Sequence, residues 1–113
     1  MSAARQRFGQ VIELKPECVA EYKRVHADGH PGVRDLLSKH GLRNFSIFMR
    51  DVFGKTLLFL YGEYEGADFA GDMARLSAEE RDVAWHLQCD PMQLSLNESG
   101  AGWAQMECVY FNA

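Results

Sequence analysis

Residues 21–45, EYKRVHADGHPGVRDLLSKHGLRNF, contain the end of one helix, a break, a second helix and the entry to a strand. Tyr22 and His26 are four apart and share a helical face. Asp28-Gly29-His30-Pro31-Gly32 must interrupt that helix, because Pro31 disfavours α geometry at His30 and the glycines punctuate the segment further. Val33 to His40 then reads as a short second helix with Leu36 and Leu37 inward. Gly41 suits the position just past its end, and Asn44-Phe45 opens a strand. His40 falls in the last turn, where a partly charged imidazole suits the negative end of the helix.

Upstream, Arg5–Leu14 alternates as a strand does, with Phe8, Gln10, Ile12 and Leu14 on one face and Gly9, Val11 and Glu13 on the other. Pro16 fits the first position of a helix, where its missing N–H costs nothing. Glu17 and Glu21 suit that helix's positive end. Val19, Tyr22 and His26 fall within about 60° of one another around the axis, with Cys18 and Val25 on a flanking apolar stripe.

Downstream, Arg43–Arg50 and Thr56–Tyr64 read as strands of a hairpin joined through the loop Asp51-Val52-Phe53-Gly54-Lys55. Thr56–Tyr64 is apolar on both faces until Glu63, as expected of a central strand covered on both sides. Residues 66–76 are helical around Phe69, Met73 and Leu76, and Ser77-Ala78-Glu79-Glu80 spells a capping box that starts another helix running to Cys89. Pro91 ends or bends it, Gln93–Gly102 is a loop, and Trp103–Phe111 closes the chain as a strand with Trp103, Gln105, Glu107, Val109 and Phe111 on one face.

The order β-α-β-β-α-β specifies an α+β fold of the ferredoxin-like type, a four-stranded antiparallel sheet with helices on one face. The 113 residues form one domain, residues 1–4 being expected to be disordered. The bare sheet face and the two-sided apolar pattern of Thr56–Tyr64 predict a homodimer built by pairing two sheets into a dimeric α/β barrel.

Composition narrows the function class. A hydrophobic fraction of 47% with 25% charged residues is that of an ordinary globular protein. A net charge of −4 with no cluster of Lys and Arg argues against nucleic-acid or anionic-membrane partners. MSAARQRFGQ has no apolar leader region, and no stretch approaches the roughly 18 apolar residues of a membrane span. Cys18, Cys89 and Cys108 are an odd set at unrelated spacings, which predicts reduced thiols and a cytoplasmic protein.

Several residues carry candidate chemistry. An aromatic hydroxyl beside an imidazole, as Tyr22 and His26 would be, suits a small polyhydroxylated substrate; a histidine on an apolar stripe is also what an ordinary core supplies. His26 and His30 have the spacing of a metal pair on an unbroken helix, but Pro31 breaks it and no third ligand is evident, so no metal is expected. His30 reads as a loop residue lining a pocket entrance. His86 and Asp90 form an i, i+4 pair. Cys18 and Cys108 read as small buried hydrophobes. Asn97 and Glu98 either fold over a ligand or remain solvated.

The run EYKRVH followed by GVRDLLSKHGLRNFSIF, with ECVYF at the end, resembles the L-rhamnose mutarotase family from about Gln6 to Phe111. The resemblance implies small dimeric ferredoxin-like proteins that interconvert sugar anomers. It carries the family's catalytic histidine onto His26 and a substrate-binding tyrosine onto Tyr22. A second substrate tyrosine falls on Phe45, so that hydroxyl is absent. The family's Trp-Trp pair before an Asp falls on Ala84-Trp85, with Asp90 following. A lost hydroxyl and a lost indole remake the pocket, which opens L-fucose beside L-rhamnose as the sugar.

Mutarotation opens a hemiacetal and closes it on the other face of the carbonyl, a pair of proton transfers that needs no cofactor. Histidine is suited to it near neutral pH. The implied assignment is His26 as proton donor and Tyr22 and Trp85 as sugar contacts, with Asp90 and Glu63 as candidate second proton carriers. Two rivals are a cofactor-free monooxygenase or haem-handling protein on the same fold, and a non-catalytic sugar binder.

Overall fold

The computed structural model describes residues 5–113, and the expectation for residues 1–4 lies outside them. Strand β1 (Gln6–Leu14) lies at the middle of the sheet. It pairs antiparallel with β3 (Lys55–Tyr64) along its whole length, and β3 pairs with β2 (Leu42–Val52). Two short strands, β4 (Gln93–Leu94) and β5 (Ala104–Met106), share the other edge of β1. The sheet order β2-β3-β1-β4/β5 is that of the ferredoxin-like fold. Between strands run α1 (Val19–His26), α2 (Arg34–Lys39), α3 (Phe69–Ala78) and α4 (Glu80–Cys89).

Register decides which residues are buried. Ile12 lies opposite Leu58 and Gln10 opposite Leu60, so the even positions of both strands share the face under the helices. Ile12, Leu14, Leu58, Tyr22, Val25, Cys89 and Met92 form one core cluster there. Val33, Leu36, Leu42, Tyr64 and Leu76 form a second, and Trp85 packs against both. Burying a side chain such as Leu58 stabilises the fold by about 1.5–3 kcal/mol. Gly62 leaves room for Phe8 to lie across β3, since an added Cβ would stand 2.5 Å from that ring.

Several expectations are corrected. The hairpin loop is shorter than five residues: Asp51, Val52 and Lys55 belong to the strands, and Phe53-Gly54 turns alone, both at positive φ (50° and 79°). The capping box does not form. Ser77 lies inside α3, and the extended residue is Glu79, whose carboxylate accepts from Lys39 Nζ at 2.8 Å and pairs with His40 Nε2 at 3.1 Å. That pull toward α2 sets the break, and it also engages the His40 ring expected to serve the helix end. The cap in this region belongs to Asp68, whose side chain accepts from Gly71 N.

The closing strand runs only over Ala104–Met106, not over Trp103–Phe111. Beyond it Val109 and Tyr110 are 85% and 79% exposed, and Phe111 lies under the Arg7 guanidinium at 3.7 Å instead of joining a ladder. Cys108 is therefore exposed and Cys18 only partly buried, while Cys89 is the core thiol, pushed up to about 12 by burial. Strand β3 is central, as expected, and within one chain the helices cover its even-numbered face. Phe48 (63% exposed) stands opposite Phe59 on the uncovered face, with Tyr61 beside them.

A candidate active site between helices and sheet

Between the two core clusters, under the helices, lies a cavity of about 700 Å³. Its wall gathers Tyr22, His26, His30, Phe45, Trp85 and Asp90. Of the residues carried over by resemblance, only Ala84 is left out, being exposed on the outer side of α4.

Helix α1 presents its residues to the cavity in one stack. The rings of Tyr22 and His26 are stacked at 4.0 Å with 25° between their planes, and the Trp85 ring meets His26 edge-on at 4.9 Å. His26 Nδ1 is 2.7 Å from the Tyr22 carbonyl oxygen. A carbonyl can only accept, so Nδ1 carries the proton, and in the neutral ring Nε2 holds the lone pair. Burial pushes the His26 imidazole below its usual range, with the Arg34 guanidinium and the neighbouring His30 ring acting in the same direction against the Tyr22 hydrogen bond. The neutral, Nε2-basic form is thus favoured near neutral pH. Tyr22 is almost fully buried, its hydroxyl accepts from Gln93 Nε2 at 3.3 Å, and burial raises it, so it stays protonated.

The helix break supplies the cavity's rim. Arg34 donates to the carbonyls of His26 at 2.7 Å and Asp28 at 3.2 Å, and His30 N donates to Ala27 O at 2.9 Å. Gly32, at φ +53°, lets the segment lie on Trp85; a Cβ there would stand 3.4 Å from the indole.

Sequence reasoning missed several wall residues. Gln10 supplies an amide from β1 and Gln93 one from β4, in the Gln93–Gly102 region expected to be loop throughout, and Trp103, just before β5, adds a second indole. Asp82 is buried, at 3% exposure, and burial raises its carboxyl. It reads in sequence as an ordinary acidic residue of a helix's first turn; its place three before Trp85 and seven before Cys89, on one helical stripe, is the signal that could have found it. His86 joins Asp90 as expected, at 3.0 Å, and also approaches Asp82 at 3.4 Å.

Glu63 does not reach the cavity. It lies on the opposite sheet face, where its carboxylate accepts from Tyr61 Oη (2.5 Å), Asn44 Nδ2 (3.0 Å) and Arg5 (2.8 Å). Those donors hold it down to about 2. Asn97 is engaged in its own loop, its amide donating to the carbonyls of Ala101 and Trp103. Among the described residues no group of three or more His, Cys, Asp or Glu side chains is placed to hold a metal ion.

The cavity joins a basic imidazole, a buried phenol, indole faces and side-chain amides, a set suited to binding a small polyol and moving its protons. Comparisons with known proteins point the same way. The family model described as L-rhamnose mutarotase matches residues 7–111. An L-rhamnose mutarotase of Mannheimia succiniciproducens is 36% identical over 72 residues, 64% of this chain and 67% of that protein. Another, of Yersinia pestis, is 28% identical over 100 residues, 88% of this chain and 92% of that one. The crystal structure of an L-rhamnose mutarotase from Formosa agariphila shares the fold with a TM-score of 0.67 at 19% identity, over 96% of this chain and 99% of the other. With its family match running from Arg7 to Phe111, the chain belongs to the L-rhamnose mutarotase family, a family of carbohydrate-acting isomerases.

Proposed function

We propose that this protein is an aldose mutarotase that interconverts the α and β anomers of a 6-deoxy sugar, L-rhamnose or L-fucose, by acid/base catalysis without a cofactor. The observation that carries the reading is His26, whose Nδ1–H is spent on the Tyr22 carbonyl so that Nε2 is the free basic atom of a cavity walled by Tyr22 and Trp85. A neutral Nε2 takes the proton of the anomeric hydroxyl as the C1–O5 bond breaks and O5 takes a proton from a second donor. As imidazolium it is then the donor that returns the proton when the ring closes, so His26 serves in both directions. Trp85 offers an apolar plane to the sugar ring, and Phe45 a wall without a hydroxyl, where a deoxy carbon fits.

Gln10 and Gln93 in the same wall support a hydroxyl-bearing ligand over the porphyrin or aromatic substrate of the rival reading. The working unit is a homodimer, which the uncovered sheet face with Phe48, Phe59 and Met106 supports. The three free thiols support a cytoplasmic setting.

The test is exchange NMR of the anomeric protons of L-rhamnose and L-fucose with catalytic amounts of protein. Faster exchange of one sugar, lost in His26→Ala, establishes the reading and selects the substrate. Unaltered exchange of both, with binding retained, leaves the non-catalytic binder in its place.

A further inference from the structure

The cavity wall contains a second imidazole that the protein itself does not satisfy. His30 Nδ1 is buried and has no hydrogen-bond partner. Buried polar atoms are partnered in the great majority of cases, and an orphan at a functional site calls for a ligand. The ring stands within the helix break, four residues after His26, and both rings are neighbours of Trp85, His30 at 6.1 Å and His26 at 4.9 Å between centroids. The loop that presents it is pinned by Arg34 to the carbonyls of His26 and Asp28 and rests on Trp85 through Gly32. The other acids are less well placed. Asp90 is exposed and engaged with His86, Glu63 is on the far sheet face, and Asp82 approaches His86.

We propose that His30 is the second proton-transfer residue of this site, working as the complement of His26 on one sugar. The inference rests on the mutarotase reading and deepens it. One imidazole enters neutral and the other protonated. As the neutral His26 Nε2 takes the proton from the anomeric hydroxyl, the O1–H pair becomes the second bond of C1=O1. The C1–O5 bond breaks, its electron pair goes to O5, and the His30 imidazolium protonates O5. After rotation about C1–C2 the O5 hydroxyl attacks the other face of C1, its proton returning to His30 and that on His26 to O1. Protons and charge are restored, and nothing is consumed.

The test compares wild type, His26→Ala, His30→Asn and His30→Ala on whichever 6-deoxy sugar the wild type turns over, with kcat and KM measured across pH. Asparagine can hydrogen-bond from the Nδ1 position but cannot relay a proton. The expected result for His30→Asn is a kcat lower by about 10²-fold at nearly unchanged KM. A pair sharing one proton gives a bell-shaped profile, and His30→Asn should lose one limb. Glu21 on α1, Asp28 and Arg34 around the loop, and Asp82, His86 and Asp90 on α4 also bear on the profile; they are present in every variant, so the lost limb is diagnostic.

A His30→Asn variant with wild-type kcat and profile, beside an inactive His26→Ala, overturns the inference and leaves the mutarotase reading standing. A variant that raises KM alone reduces His30 to a binding contact and also overturns it. If wild type accelerates neither sugar, the mutarotase reading itself falls and the inference with it. Thermal unfolding of His30→Asn and the ¹⁵N ring signals of His26 within it show that the folded site is intact before kcat is compared.

Discussion

The two faces of the sheet carry similar residue types and use them differently. On the open face, Tyr61, Asn44 and Arg5 all donate to Glu63, and the carboxylate is held to about 2. On the helix face, His26 has one ring nitrogen committed to Tyr22, and His30 Nδ1 has no partner. A titratable group whose hydrogen bonds are filled is locked in one protonation state and serves the fold. One whose capacity is left over, inside a cavity, can exchange a proton with a ligand. The contrast supports the proposed chemistry on the helix face and a structural role for the Glu63 cluster.

The largest effect expected from this contrast is at His26. His26→Ala should slow anomer exchange by about 10²–10⁴-fold in the NMR assay, with little loss of thermal stability because the ring is only half buried. If Glu63→Ala slowed exchange as much, the division between the faces would be broken.

Next is the uncovered sheet face. Phe48→Asp should convert the proposed dimer to monomer in sedimentation velocity, since a charge opposite Phe59 is incompatible with sheet pairing. An unchanged sedimentation coefficient would remove the sheet face as the contact.

The Glu63 cluster makes a pH prediction with a definite sign. Its carboxyl is depressed in the folded state, so its stabilising contribution is complete above the ordinary carboxylate range, near 4.5, and is lost as pH falls from there toward about 2. Glu63→Gln should unfold at lower temperature than wild type at neutral pH, and the difference should shrink on acidification through that window. A difference that persists at low pH would mean the cluster acts through packing, not charge.

The smallest effect is at Tyr22. Tyr22→Phe keeps the ring stacked on His26 but removes the hydroxyl that accepts from Gln93. A rise in KM of a few-fold, with kcat nearly intact, is expected from loss of one hydrogen bond of about 1 kcal/mol. A fall in kcat comparable to that of His26→Ala would instead give the phenol a proton-transfer role.

Much of this was legible in the chain. Alternation in Arg5–Leu14 and the two-sided apolar run of Thr56–Tyr64 marked the two inner strands, the Asp28–Gly32 break separated α1 from α2, helical spacing paired Tyr22 with His26, and the family resemblance added Trp85. What failed did so where a distant partner outweighed a local signal. Ser77-Ala78-Glu79-Glu80 has the letters of a capping box, but Lys39 and His40, some forty residues away, draw Glu79 out of the helix and move the break. The alternating tail after Met106 lacks a strand to pair with in one chain, and periodicity cannot supply one.

The sequence by itself determined the order of elements, the faces of each strand and the helical stripe that sets Tyr22 beside His26. These depend on periods of 2 and 3.6 residues and on where proline and glycine interrupt them. Only the tertiary structure decided that His30 and Asp82 share a cavity wall with His26 while Glu63 does not. A pocket is assembled from elements far apart in the chain, and whether a polar atom there is satisfied depends on neighbours that no local pattern encodes.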